Sequence, residues 1–337
     1  MNGSDLTELL SHKILEAQNE KIYYEEIYKS ATEDVKSNQF LFFVKPEITL
    51  RSNTIRLKQI LELILQKMSE FDFNIVNCKL LTARYLDEYN IIAQHYGVIN
   101  KASADAKKNL SPGAHEKFEE LFGISVEKAY VSGSLEFLKN YPFFNPVSLD
   151  YLWQNSPAQK LGGGIYVQKV KLDGKEQYLI NGFHPRQLSH FTEKGRSIVI
   201  FTLESNTGWQ VARDQFIGKT NPDDAAPGSI RHELQIHADR LGLFNISSSW
   251  NGVHLSAGPV EGLIELIRYN SDFSRNEIRK INDFSFGKML LSEFSQQAVD
   301  SILENPTVIY ENNSITVFDL TEEKNSDEAI RILKMVI

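Results

Sequence analysis

The chain has 337 residues, of which 42% are hydrophobic and 24% charged, and its formal net charge is -8. That is the composition of a globular protein with room for two domains, or for one core carrying large insertions. The acidic balance excludes a general attraction to nucleic acid, and the single cysteine, Cys78, excludes an internal disulfide and a thiolate zinc site.

Residues 1–36 place Leu9, Leu10, Ile14, Ile22 and Ile27 at helical spacing among charges, which predicts one or two amphipathic helices. This N-terminus is too polar for a signal peptide, and no apolar run approaches the ~20 residues of a membrane helix. A soluble, cytoplasmic protein without membrane association is expected. QFLFFVKP (39–46) is a short apolar run stopped by Pro46, the mark of a buried strand. Ile55–Met68 has helical periodicity, Phe73–Leu81 is a second strand with Cys78 as a core hydrophobe, and Tyr85–Tyr96 returns to helix. Between 101 and 181 glycine, serine and proline recur. This stretch reads as a structured insertion with a helix at Glu116–Phe122 and a hairpin turning at Asp173–Gly174. A buried strand at Arg196–Leu203 follows, then a helix at Thr207–Ile217 and the irregular GKTNPDDAAPGSIR (218–231). Next come a short strand at Asn251–Ser256 and a helix that starts at Pro259, a residue favoured at the first helical position, and runs to Tyr269. Residues 285–337 add a helix, a strand pair at Thr307–Tyr310 and Ile315–Leu320, and a last helix.

The common phosphate cradles, GxxxxGK[ST] and GxGxxG after a strand, are absent. LGGGIY (161–166) is glycine-rich but precedes a strand and reads as a turn. No HExxH pair exists, and His232 and His237, five apart, are poorly spaced for joint ligation and read as surface residues.

GKTNPDDAAPGSIR resembles the nucleoside diphosphate kinase pattern of G-x-TNP, a proline-glycine loop and an isoleucine-arginine pair, with the same internal spacing. FLFFVKP (40–46) is similar to that family's first strand with its lysine-proline. NGVHLSAGPVEGLIEL (251–266) is similar to the strand that bears its catalytic histidine and to the helix after it. The resemblance covers roughly 39–100 and 182–270, less than half of the chain. It implies an α+β sandwich with a ferredoxin-like four-stranded antiparallel sheet. Around this core lie an N-terminal helical extension (1–38), the inserted subdomain (101–181) and a C-terminal αβ extension (271–337).

Carried over residue by residue, the resemblance makes His254 a nucleophile, phosphorylated by a nucleoside triphosphate and discharged to a nucleoside diphosphate or related acceptor. Neutral imidazole suits this chemistry near pH 7. Glu265 would fix the histidine tautomer, and Lys45, Thr220 and Arg231 would contact the phosphates. Asn251 would bind the sugar hydroxyl, Tyr96 would support Lys45 or the phosphorylated intermediate, and Ser256 is the one residue kept from the segment after the family's histidine. Mg2+ would arrive on the nucleotide phosphates without dedicated protein ligands. A homodimer is the expected assembly.

Each of these residues also has an ordinary reading. His254 could be a satisfied strand residue, Lys45 a solvated strand end, Thr220 and Arg231 turn residues, and Glu265 the exposed face of an apolar helix. The chain departs from the family as well. Asp214 stands where a second phosphate-binding arginine is expected, leaving its neighbour Arg213, or Arg186, as substitutes. Phe183 or His184 are the candidates for the base platform. Two alternatives follow: a nucleotide-dependent transfer of a phosphoryl or nucleotidyl group to a non-nucleotide acceptor, or a catalytically silent nucleotide-binding module.

Overall fold

Every residue of Asn38–Val44 is buried, because this strand lies inside a sheet that is covered on both faces. The computed structural model describes residues 3–31, 36–50, 53–172 and 174–337. The chain divides into two compact units, Met1–Tyr85 with Lys194–Ile337, and Leu86–Glu193. These boundaries differ from those expected at 100/101 and 181/182, so Tyr96, Phe183, His184 and Arg186 belong to the second unit.

The first unit is built on β1 (Tyr24–Lys29), β2 (Asn38–Val44), β3 (Asn74–Thr82), β4 (Ser197–Ser205) and β5 (Val253–Leu255). The spatial order is β1-β3-β4-β2-β5, and every pairing is antiparallel. Phe40, Phe42 and Val44 from β2, Cys78 and Leu80 from β3, and Val199, Phe201 and Leu203 from β4 face one core. Strand alternation sends Leu41, Phe43, Lys79, Ile200 and Thr202 to the opposite face. The first core is closed by α1 (Gly3–Gln18), through Leu6, Leu10 and Ile14, and by α2 (Thr54–Glu70), through Leu57, Ile60, Leu61, Ile64 and Met68. On the other side α3 (Pro259–Asn270) buries Leu263, Leu266 and Tyr269. No helix of the described residues is long and apolar enough to cross a membrane.

Four expectations are corrected. The sheet has five strands, not four, because residues 24–29 form an edge strand on β3 instead of a second helix. The helix stops at Gln18, Glu20 takes a left-handed φ of 58°, and the tyrosine-rich segment satisfies backbone groups that β3 would otherwise expose. The helix expected over Tyr85–Tyr96 is broken at Asn90, left-handed at φ 53°. Residues 317–321 are helical, not strand: Thr316 ends the strand Asn313–Thr316, and its side chain caps the helix by accepting from the Asp319 N–H. The second half of the helix expected over 207–217 is a π-helix, Ala212–Ile217.

The second unit has a four-stranded sheet made of Val131–Gly133, Lys175–Ile180, Ile165–Leu172 and Gln159–Gly162, in that spatial order. The LGGGIY glycines form the turn between its last two neighbours in space. Of the expected hairpin turn, Asp173 lies outside the described residues. The helix expected at 116–122 runs over Pro112–Phe122 and places Phe118 at the centre of this unit's larger core. His184 is buried between Asn100 and Gln187, and burial pulls it down to about 4, so it is neutral near pH 7. Tyr96 lies edge-on to it.

Candidate functional site

Strand β5 is three residues long, and its alternation decides where His254 points. Val253 and Leu255 go into the core under α2, so His254 takes the opposite face, paired in register with Phe43 of β2. Phe43 stacks on the imidazole, with ring centroids 4.5 Å apart and planes 21° apart. About a fifth of the His254 side chain is exposed. The chain then reverses through Ser256–Gly258 into α3, and this returns Glu265 to the ring. His254 Nε2 lies 3.1 Å from Glu265 Oε1, and the Ser256 hydroxyl donates to Oε2 at 2.5 Å.

Glu265 is almost wholly buried, and Glu261 lies one turn before it on α3. Burial, and next the charge of Glu265, push the Glu261 carboxyl up. As a carboxylate, Glu265 accepts from the Ser256 hydroxyl and from an imidazole N–H at Nε2. With the ring proton on Nε2, the lone pair of the imidazole lies on Nδ1.

The carbonyls of Val253 and Leu255 in this strand hold two guanidinium groups, and that of Gly252 just before it fixes the backbone of Lys45. The Lys45 N–H donates to Gly252 O at 2.8 Å. Arg231 donates from Nη2 to Val253 O at 3.0 Å and from Nη1 to Gly218 O at 2.8 Å. Arg213 donates from Nη1 to Leu255 O at 3.1 Å. Lys45 and Arg231 are both buried. Lys45 Nζ donates to Asn251 Oδ1 at 2.7 Å, and Asn251 Nδ2 donates to Thr220 O and Ser248 O. Thr220 itself is exposed, at the mouth of the 218–229 loop. Burial lowers Lys45 to about 8, against the raising effect of Glu47 and with a smaller lowering by Arg231.

Gly252 is the pivot of this arrangement. Its φ is +81°, its N–H donates to Glu47 Oε1 at 2.7 Å, and an added Cβ would lie 2.6 Å from Leu234 Cδ1. Gly252→Ala is expected to destabilise the chain by about 2–3 kcal/mol, from backbone strain and overpacking together. The midpoint of urea unfolding checks this, and an unchanged midpoint would show that the turn is soft.

Solved structures that resemble this chain include nucleoside diphosphate kinases. That from Encephalitozoon cuniculi is 12% identical, covers 69% of this chain and 89% of its own, and gives a TM-score of 0.33. That from Aquifex aeolicus is 16% identical over 72% and 99%, with a TM-score of 0.31. The Borrelia burgdorferi enzyme, a transition-state mimic with vanadate and ADP, is 16% identical over 72% and 90%, at 0.30. No family model and no curated protein matches the sequence.

His254, Glu265 and Ser256 thus form one cluster, and Lys45, Asn251, Arg231 and Arg213 adjoin it through β5. Of Thr220, only the backbone carbonyl is tied in. Tyr96 lies in the other unit. Sequence reasoning missed Phe43, Glu47 and Glu261. Glu47 carried a legible signal, an acid directly after a buried strand, whereas Phe43 was one apolar residue in a run of them. It also missed the C-terminal acids: Arg213 pairs with Glu322 at 3.6 Å and Glu323 at 3.9 Å. That segment packs so closely that a Cβ on Gly258 would lie 2.5 Å from Thr321 O.

Proposed function

We propose that the chain is a nucleotide-dependent phosphotransferase of the nucleoside diphosphate kinase kind, working through phosphohistidine at His254. The order β3-β4-β2-β5, with α2 crossing from β2 to β3 and the helical segments 209–217 and 230–236 crossing from β4 to β5 on the same face, supports the ferredoxin-like reading of the core. One observation carries the mechanism: His254 Nε2 lies 3.1 Å from Glu265 Oε1, and a ring proton held there by the carboxylate leaves the lone pair on Nδ1. Nδ1 attacks the γ-phosphorus, an N–P bond forms, and the bond to the β,γ-bridging oxygen breaks, with its electron pair leaving on the diphosphate. Transfer to the acceptor runs the same steps in reverse.

Lys45 gives Asn251 one of its three N–H groups and keeps donors for phosphate oxygens, and the Thr220 hydroxyl is open to the same group. Arg231 has both terminal nitrogens on carbonyls and acts as a positioning residue for β5. Asn251 spends its amide on Lys45, Thr220 and Ser248, so it supports the phosphate ligands and not the sugar hydroxyl that the resemblance assigns to it. The π-helix bears on the missing arginine. A π turn holds one residue more than an α turn, so counting back from Thr220 through 212–217 slips by one position. Arg213 then stands where the resemblance puts an arginine at 214. Glu265 and Glu47 are already committed, so Mg2+ would be held by the phosphates.

Incubation with γ-labelled ATP should give an acid-labile, base-stable label that a nucleoside diphosphate removes, while α-labelled ATP gives none. Absence of label with retained ATP binding would overturn the proposal. A second reading, transfer to a non-nucleotide acceptor, is favoured by the pairing of Arg213 with Glu322 and Glu323, which offsets charge a diphosphate would need. It predicts a label that diphosphates do not remove.

Lys45 also sets a pH dependence. Its folded-state pKa of about 8 lies below the ordinary 10.5, so its cation is fully present only below about 8. Between those values the unfolded chain binds the extra proton, and this lysine's contribution to stability grows as pH rises. Phosphoryl transfer is expected to fall as pH rises through 8, and Lys45→Met should remove that limb of the pH–rate profile while lowering the rate throughout.

A further inference from the structure

Lys79 occupies a position on β3 where the strand alternation expects an apolar residue, and its side chain is only 3% exposed. Its Nζ donates to Tyr24 Oη at 2.8 Å and to the carbonyl of Asn270, the last residue of α3, at 2.9 Å. The nearest carboxylate oxygen, Glu26 Oε2, is 3.9 Å away, beyond hydrogen-bonding distance. The ammonium thus has a third N–H with no hydrogen-bond partner among the described residues.

It lies against a cavity of about 370 Å³, on the far side of the sheet edge, that Lys29 and Arg279 also line. Capping of α3 accounts for Lys79. It does not account for the other two cations. Among the described residues the Lys29 and Arg279 side chains make no ion pair, although the Arg279 backbone is fixed by its N–H bond to Ser271 Oγ. Of the acids lining the cavity, Glu25 is paired outward to Lys13 at 2.7 Å, and Asp272 with Arg275 at 3.6 Å. Three cations then face Glu26 and Glu277. The segment is held rigidly, because Tyr85 Oη donates to Ser271 O and accepts from the Phe273 N–H.

We propose that this cavity is a second ligand site, which takes a small oxyanion, phosphate or carboxylate, between Lys79, Arg279 and Lys29. An oxyanion there would accept the third Lys79 N–H and a forked pair from the guanidinium, adding to the partial compensation that Glu26 supplies from 3.9 Å. Burial, opposed by Glu26 and aided by the neighbouring Arg279, lowers Lys79 to about 8, and a bound anion would act against that lowering. The inference does not depend on chemistry at His254.

Titration calorimetry with inorganic phosphate and, separately, acetate tests it on the full chain in a His254→Ala background, which leaves this cavity untouched. At least one anion is expected to bind at one site, and Arg279→Gln, which keeps the Lys79 cap, should weaken it about tenfold or more. Phosphate alone binding identifies a phosphate-bearing ligand, and both binding identifies a general oxyanion site. Lys79→Met should abolish binding, but it also removes a helix cap, so Arg279→Gln is the variant that decides. Affinity unchanged in Arg279→Gln, or no binding of either anion, would overturn the proposal.

Discussion

His254→Ala is expected to lower phosphoryl transfer by on the order of 10^4-fold, because it removes the one protein atom that bonds to phosphorus in the proposed reaction. The fold should survive, since the side chain is partly exposed and β5 is held by Val253 and Leu255 in the core. The substitution removes the imidazole contact of the buried Glu265, at a cost of about 1–3 kcal/mol. Stopped-time labelling together with urea unfolding separates the two effects. Glu265→Gln should act more mildly, about 10–100-fold, because it disturbs the tautomer without removing the nucleophile. Full labelling in His254→Ala would move the chemistry elsewhere.

Arg231→Met should destabilise the chain by about 2–4 kcal/mol, the largest stability effect expected at the site. Two carbonyls, Gly218 O and Val253 O, would lose charged donors in a buried setting, each worth about 1–3 kcal/mol. Methionine restores part of the packing, and loss of a neighbouring cation eases the burial of Lys45, so the sum falls short of the full penalties. Had Arg231 been a phosphate ligand alone, this change would weaken ATP binding and leave the unfolding midpoint where it was. Denaturant unfolding without nucleotide decides between these outcomes: a change below about 0.5 kcal/mol would overturn the positioning role.

Local rules recovered the central strands and most long helices, because 39–44 and 196–203 are too apolar to lie anywhere but inside a sheet. They failed where two local states were close in energy. Residues 24–29 have no strong helical stripe, and the open edge of β3 settled them as strand. Ile315–Leu320 reads as alternating, yet the Thr316 cap ends the strand and starts a helix.

At the site, the residue types and spacings were legible: a strand histidine, a turn through Pro259, and an acid eleven residues on whose return along α3 helix geometry allows. From sequence alone came the strand–turn–helix that brings Glu265 to His254, since both partners lie within one short stretch governed by local periodicity. Tertiary structure alone decided that Arg231 serves carbonyls, that Asn251 clamps Lys45, that Arg213 meets Glu322 and Glu323, and that Lys79 lies buried under Asn270. The physical reason is that a buried charge settles on whichever dipoles reach it, and those dipoles come from segments whose proximity no local spacing encodes.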